Sequence, residues 1–268
     1  MKIIKLVKKP HNIKVGDVCD FKEANINEDC LLESDGEIIG FYLNDLSKYS
    51  EKLTSLLALA NKEFRGNNVP KTILDRMETV KHSQTGMKRS EARKVGVSQY
   101  STILGSVPPK PVMRRPYPTT SSVHKNAKAK TFIKAMLACA LESEKLIKQI
   151  APNIYEKQQK IFEQVDKKWR FGNLFTSSIS NFNIAAPFHR DTGNIEGAAN
   201  VILTKRNNSK GGCLNVPDYE ATFEQADNSM LVYPAWRNVH GVTPIIPTHK
   251  DGYRNSLIFY PLKAFKGL

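Results

Sequence analysis

Cys30 to Glu33 and Glu37 to Leu43 are apolar runs that flank Ser34, Asp35 and Gly36. An Asp-Gly pair between two such runs signals a hairpin, because the turn needs positive φ, which glycine adopts without steric cost. Asn44 and Asp45 follow as candidate helix caps. Behind them Leu46, Tyr49, Leu53, Leu56, Leu57, Ala60 and Phe64 recur at helical spacing, which predicts an amphipathic helix laid on a sheet. From about residue 80 to 125 the periodicity fails, and Pro108, Pro109, Pro111, Pro116 and Pro118 interrupt every regular element, so an irregular loop is expected there. Helical spacing returns with Phe132, Met136, Ala140, Leu146, Ile147 and Ile150, breaks at Pro152, and resumes through Ile154, Tyr155, Ile161, Phe162 and Val165. Beyond Trp169 the texture changes to short alternating or apolar runs: Leu174 to Phe182, Ala198 to Thr204, Cys213 to Val216, Met230 to Tyr233 and Ser256 to Tyr260, broken by Gly211-Gly212 and polar residues. That is the pattern of an all-β sandwich or barrel. The expected class is α+β, in the order hairpin, helix, loop, two helices and a C-terminal β core, with no internal repeat.

At 268 residues the chain can bury a full core as one large domain. Its expected divisions are an α/β extension over 1–80, a proline-rich loop over 81–130, supporting helices over 131–169 and a β core over 170–264. No run approaches the roughly 20 apolar residues of a membrane span. The stretch Met1 to Val7 reaches Lys8, Lys9 and Pro10 too early to form a signal-peptide core. Cys19, Cys30, Cys139 and Cys213 lie far apart with no C-x-x-C pair, as for ordinary buried thiols in a reducing compartment. A soluble intracellular protein, in the cytoplasm, nucleoid or nucleus and not secreted, is expected.

Charge changes this picture, because 40 Lys and Arg stand against 26 Asp and Glu, for a formal +14. Between Lys81 and Lys134 twelve basic side chains face Glu91 alone, so that segment carries +11 of the total. A block of one sign produces a local field suited to a polyanion.

The residues with candidate chemistry lie in the C-terminal half. In Pro187-Phe188-His189-Arg190-Asp191-Thr192-Gly193-Asn194, extended backbone turns His189 and Asp191 to one side while Arg190 faces away. His240 lies on a later strand, after Met230 to Tyr233. Two imidazoles and one carboxylate leave three coordination positions open, the arrangement in which non-haem iron(II) binds a bidentate cosubstrate together with dioxygen, whereas structural zinc closes its site with four ligands. Arg254 follows fourteen residues after His240. A guanidinium at a strand start is costly to bury unless it meets a carboxylate, for which its planar fork is suited, and the distal carboxylate of 2-oxoglutarate is a natural partner. Ser256, on the same face, can donate a further hydrogen bond. Each residue alone has an ordinary reading: a surface histidine, a turn aspartate, a loop histidine, half of a salt bridge. Their order and spacing together favour the metal site. His-Arg-Asp also occurs in kinase catalytic loops, but the asparagine needed five residues on is absent, as are a Gly-rich loop and Asp-Phe-Gly. A zinc hydrolase would leave Arg254 without purpose.

These motifs resemble the TET/JBP branch of 2-oxoglutarate oxygenases, which oxidise methyl groups of thymine or 5-methylcytosine within DNA. His189-Arg190-Asp191 with Asn194 is similar to the branch's H-x-D-x-x-N, and Gly211-Gly212-Cys213-Leu214-Asn215-Val216-Pro217 to its G-G-x-L-x-x-P. His240 to Pro244 looks like its His-x-x-Thr-Pro, and Arg254 with Ser256 like its cosubstrate clamp. The resemblance implies a double-stranded β-helix core of the jelly-roll or cupin kind with helices on its outer face. It implies iron(II) at His189, Asp191 and His240, with 2-oxoglutarate and dioxygen as cosubstrates. Asn194 would hydrogen-bond the target base, against the alternative of a turn-stabilising asparagine. The first 165 residues match no motif of the branch, and the cysteine-rich, zinc-bearing insertion of animal TET enzymes is absent. The basic block, with Lys88, Arg89, Arg93, Lys94, Arg114 and Arg115, is then the expected DNA surface. Tyr100, Tyr117 and Trp236 are candidates for stacking on bases or for ordinary packing. A base methyl in duplex DNA lies out of reach of a recessed iron, so a double-stranded substrate would be flipped into the pocket. The alternatives are an oxygenase acting on a protein side chain or small molecule, and a nucleic-acid-binding protein without catalysis.

Overall fold

In the computed structural model, residues 1–73, 99–110, 112 and 115–268 are described. Strand β1 (Lys2–Lys5) runs parallel to β2 (Cys30–Ser34), which folds back on β3 (Glu37–Leu43) through a turn in which Asp35 and Gly36 have φ of 55° and 80°. The expected hairpin is therefore present. The helix after it starts later than its apolar spacing suggests. Asp45 caps only a short 3-10 turn over Leu46–Lys48, and the first α-helix, α1 (Glu51–Arg65), begins where Ser50 Oγ accepts a hydrogen bond from Leu53 N at 3.1 Å. Two successive caps split what reads as one amphipathic run, and Asn44 instead accepts from the Tyr42 hydroxyl.

The segment expected to be irregular contains regular structure among its described residues. After β4 (Thr72–Ile73), β5 (Tyr100–Val107) pairs with the next long strand, β7 (Ser177–Phe182), over six residues, and with the short β6 (Thr119–Thr120) on its other side. Ser101, Thr102 and Ser106 occupy buried positions of β5. Small polar residues where a strand usually shows apolar ones hide the two-residue period. The helices α2 (Lys130–Ile150) and α3 (Pro152–Phe162) match the expected pair, with Pro152 opening the second where its missing N–H costs no hydrogen bond.

The remaining strands build the core: β8 (Ala186–His189), β9 (Asn200–Asn207), β10 (Ser209–Gly211), β11 (Leu214–Val216), β12 (Ala221–Phe223), β13 (Ser229–Tyr233), β14 (His240–Val242), β15 (Ile245–Pro247) and β16 (Tyr253–Tyr260). A large sheet has the order β1-β2-β3-β13-β9-β16-β7-β5-β4, a smaller one the order β12-β11-β14-β8, and β10 pairs with β15. The crossing of sequence-distant strands in two facing sheets is a double-stranded β-helix.

Alternation along the large sheet separates two cores. In β13, Met230 and Val232 pack with Leu53, Phe132 and Met136 beneath the helices, while Leu231 and Tyr233 meet Leu214, Val216 and Phe223 between the sheets. In β16, Tyr253, Leu257 and Phe259 face the helices, and Arg254, Ser256, Ile258 and Tyr260 line a cavity between the sheets. The same rule thus supplies a helix-covered back and a chemically distinct interior.

Close packing at the join of extension and core generates a test. A Cβ added at Gly40 of β3 would lie 2.1 Å from the Val232 carbonyl oxygen of β13. Gly40→Ala is expected to destabilise the protein by on the order of 3 kcal/mol, seen as a lower urea midpoint at unchanged slope. An unchanged midpoint would mean that the extension does not fold against the core.

Candidate active site

His189 ends β8, His240 begins β14, and the two are direct partners across the antiparallel ladder. Facing positions on neighbouring strands put both side chains on one side of the sheet, and their rings lie 4.4 Å apart at 58°. Asp191 follows just beyond the strand, with Oδ1 3.7 Å from His189 Nε2. One potential ligand atom from each of the three residues lies within 4.8 Å of the others, a spacing that fits a single ion at ordinary metal–ligand distances of about 2 Å.

Hydrogen bonds outside this triad orient it. His189 Nδ1 lies 2.8 Å from the Pro187 carbonyl, and His240 Nδ1 lies 3.0 Å from the Asn238 carbonyl. A carbonyl only accepts, so each Nδ1 carries the proton and each Nε2 keeps its lone pair. Asp191 Oδ2 accepts from Asn194 Nδ2 at 3.3 Å and from Asn200 Nδ2 at 3.2 Å, and this leaves Oδ1 on the side of the imidazoles. Burial and the adjacent His189 hold His240 below the ordinary histidine pKa, which favours the neutral, coordinating form.

Arg254 enters the same cavity from β16. It is 3% exposed, and burial, reinforced by nearby Arg206, pushes its pKa down to about 10. Its Nε has no hydrogen-bond partner, and Nη1 reaches only the Ile184 carbonyl at 3.5 Å. Arg206 differs, since its guanidinium donates to the Gln225 and Ser209 carbonyls at 2.9 and 2.6 Å. A guanidinium stays protonated at working pH, so Arg254 is a buried cation with no anion among the described residues. Gly212 makes room for it: φ is +68°, and an added Cβ would stand 2.7 Å from Arg254 Cδ. Ser256, 1% exposed, lines the cavity beside Arg254.

The cavity measures about 350 Å³. Ile179, Ile184, Ile202, Val242 and Ile258 give the cavity apolar walls. A small diacid with one carboxylate at Arg254 and Ser256, and its other end toward the three donors, would satisfy the orphaned charge. The donor set and the unpartnered Nε therefore fit iron(II) and 2-oxoglutarate.

The other expected residues fall into three groups. Asn194 lines the cavity, uses its amide hydrogens on Asp191 and on Asn200 Oδ1 at 2.9 Å, and closes a turn through its backbone N–H to the Asp191 carbonyl. Lys88, Arg89, Arg93, Lys94 and Arg114 lie outside the described residues. Arg115 Nη2 folds back on the Pro108 carbonyl at 2.5 Å, Tyr100 stacks on Phe182 at 4.5 Å, and Trp236 Nε1 donates to the Ala198 carbonyl at 2.9 Å. Those three are engaged within the fold, whereas Tyr117 is 61% exposed. Sequence reasoning does not place Asn200 and Tyr260 at the cavity, although both line it. The two-residue period of β16 from Arg254 points to Tyr260, whose phenol is pushed upward by burial and by Asp191. All four cysteines are buried and free, as expected.

A family model for the oxygenase domain of the 2OGFeDO superfamily, Tet_JBP, matches residues 109–263. Among solved structures the chain is similar to NgTET1 in complex with 5mC DNA, at 13% identity and a TM-score of 0.58, over 99% of this chain and 83% of that one. It is also similar to a prolyl hydroxylase of Trichoplax adhaerens in complex with a hypoxia inducible factor peptide fragment, at 11% identity and a TM-score of 0.43, over 83% of each chain. No curated protein matches.

The isolated charge of Arg254 generates a test. Arg254→Met replaces it with a shorter, unbranched apolar chain and is expected to stabilise the ligand-free protein by about 1–3 kcal/mol. Added 2-oxoglutarate with metal should raise the thermal midpoint of the parent and not of the variant. A variant that unfolds earlier than the parent would show that the guanidinium is already compensated.

Proposed function

The chain belongs to the Tet_JBP family of Fe(II)/2-oxoglutarate dioxygenases, and on that footing we propose that it hydroxylates the methyl group of a pyrimidine base, thymine or 5-methylcytosine, in DNA. In this reading His189, Asp191 and His240 hold iron(II), and Arg254 with Ser256 grips the distal carboxylate of 2-oxoglutarate. Bound iron(II) would let dioxygen act as the oxidant with 2-oxoglutarate as the two-electron co-reductant, so that one oxygen atom enters a C–H bond and the other enters succinate as carbon dioxide is lost.

The chain's own residues supply position and surroundings. Asn194 and Asn200 fix the carboxylate of Asp191, and the carbonyls of Pro187 and Asn238 fix the two imidazoles. The isoleucine and valine walls keep water from the reacting carbon and suit a methyl group better than a polar one. Asn194 Oδ1 has no partner among the described residues and borders the cavity, where a ring N–H or exocyclic amine of a pyrimidine can donate to it.

The observation that carries this reading is a buried, unpaired guanidinium and a three-donor cluster lining one largely apolar cavity. DNA as the substrate is supported by the family, by the 5mC DNA bound to NgTET1 on a similar fold, and by the basic segment Lys81 to Lys134. Because the metal cluster lines a cavity of the fold, a duplex substrate would present its base by flipping it out of the stack, inside a compartment that holds DNA.

Incubation with iron(II), 2-oxoglutarate, ascorbate and DNA rich in thymine or 5-methylcytosine should give the hydroxymethyl base by nucleoside mass spectrometry. Asp191→Ala should abolish it, and equal yields from parent and variant would refute the site. DNA affinity should fall steeply with salt. Joint replacement of Lys88, Arg89, Arg93 and Lys94 by alanine is expected to flatten the log–log salt slope by about 1 for each phosphate that is no longer neutralised. An unaltered slope would remove the basic segment from the interface.

A further inference from the structure

The two candidate imidazole ligands are held differently. The acceptor for His189 Nδ1 is Pro187, a member of the same strand. The acceptor for His240 Nδ1 is Asn238, in the irregular connection between β13 and β14. A carbonyl outside regular structure needs some other restraint, and here the Asn238 side chain provides it. Asn238 is 2% exposed; its Oδ1 accepts from the Tyr233 hydroxyl at 2.8 Å, and its Nδ2 donates to Asp218 Oδ2 at 2.5 Å. The other carboxylate oxygen of Asp218 lies 2.5 Å from His11 Nε2.

His11 belongs to an N-terminal strap that crosses the small sheet on the side away from the cavity. Lys9 N donates to the Asp218 carbonyl, Gly16 N to the Phe188 carbonyl and Phe188 N to the Asp17 carbonyl, at 2.7, 2.7 and 2.9 Å. At the far edge Glu224 N donates to the Ile26 carbonyl at 2.8 Å. Between these anchors Cys19 packs on Gly241, whose added Cβ would meet Cys19 Cβ at 2.8 Å. Gly241 follows His240 and Phe188 precedes His189, so the strap rests on the backs of both ligand strands.

We infer that His11 and Asp218 are positioning residues for the metal: they fix Asn238, whose carbonyl orients the His240 ring. The inference rests on the reading of His240 as a metal ligand. Partners one step beyond a ligating histidine commonly alter metal affinity by about 10–100-fold when removed. Residues 207 positions apart in sequence, His11 and Asp218, thereby make metal affinity depend on the docked strap.

The test is a titration of the metal-free protein with cobalt(II), read by calorimetry and by the cobalt absorption spectrum, without DNA or turnover. Asp218→Ala should raise the cobalt(II) dissociation constant about tenfold or more, in line with loss of an outer partner. His11→Ala should move it in the same direction, and His11→Gln, which restores an N–H donor to Asp218, should return it most of the way. Lys9→Ala removes the neighbouring ion pair to Glu220 but leaves the Asp218 carboxylate untouched, and it should bind cobalt(II) like the parent. If Asp218→Ala does not fold, by circular dichroism, the His11 pair decides, since His11 lies at the surface end of this chain of hydrogen bonds. Parental affinity in His11→Ala overturns the inference. So does equal weakening by Lys9→Ala, which would mean that strap docking alone matters, and so does a parent that binds no cobalt(II). Base oxidation accompanied by unchanged metal affinity in these variants would sink this inference and leave the proposed function standing.

Discussion

Antiparallel pairing of β8 with β14 is the constraint on which the site depends. It puts His189 directly opposite His240, and because neighbouring strands are held at a fixed spacing by their hydrogen bonds, the two side chains start from adjacent points on one face. Asp191 joins them because the chain turns just past the strand end, where Thr192 N donates to the Arg190 carbonyl and Asn194 N to the Asp191 carbonyl. The large sheet gives this pair a floor, and the helices behind that sheet keep the floor in place through the cluster around Leu53, Phe132 and Met136.

Stability and chemistry pull in opposite directions at Arg254. The fold could be steadier with an apolar residue there, since an uncompensated guanidinium gives up its hydration and receives only one long hydrogen bond in return. Gly212 gives up its side chain to admit the arm. A buried charge that departs from the rule of satisfied polar groups is the signature of a binding residue held ready.

The N-terminal strap extends the same logic outward. Its hydrogen bonds to Phe188 and Asp218 attach an otherwise irregular segment to β8 and to the turn after β11, and Cys19 packs on Gly241 of β14, so this segment rests against both strands that carry the candidate histidines.

Local pattern determined the hairpin at Asp35-Gly36, the two helices around Pro152 and the β texture after Trp169, and it marked His189, Asp191, His240, Arg254 and Ser256 as the candidates that meet at one cavity. All of these rest on short-range rules: two-residue alternation, helical spacing, caps and turns. Tertiary structure alone decided what depends on the meeting of distant segments. Strand β5 is ordered by its pairing with β7, although its small polar residues carry no alternation of their own. Asn200 grips Asp191 only because β9 passes beneath it, and His11 meets Asp218 only because the strap crosses the sheet. Spacing along a chain reports which side chains share a face, but which faces meet is settled by packing, and packing is a property of the whole.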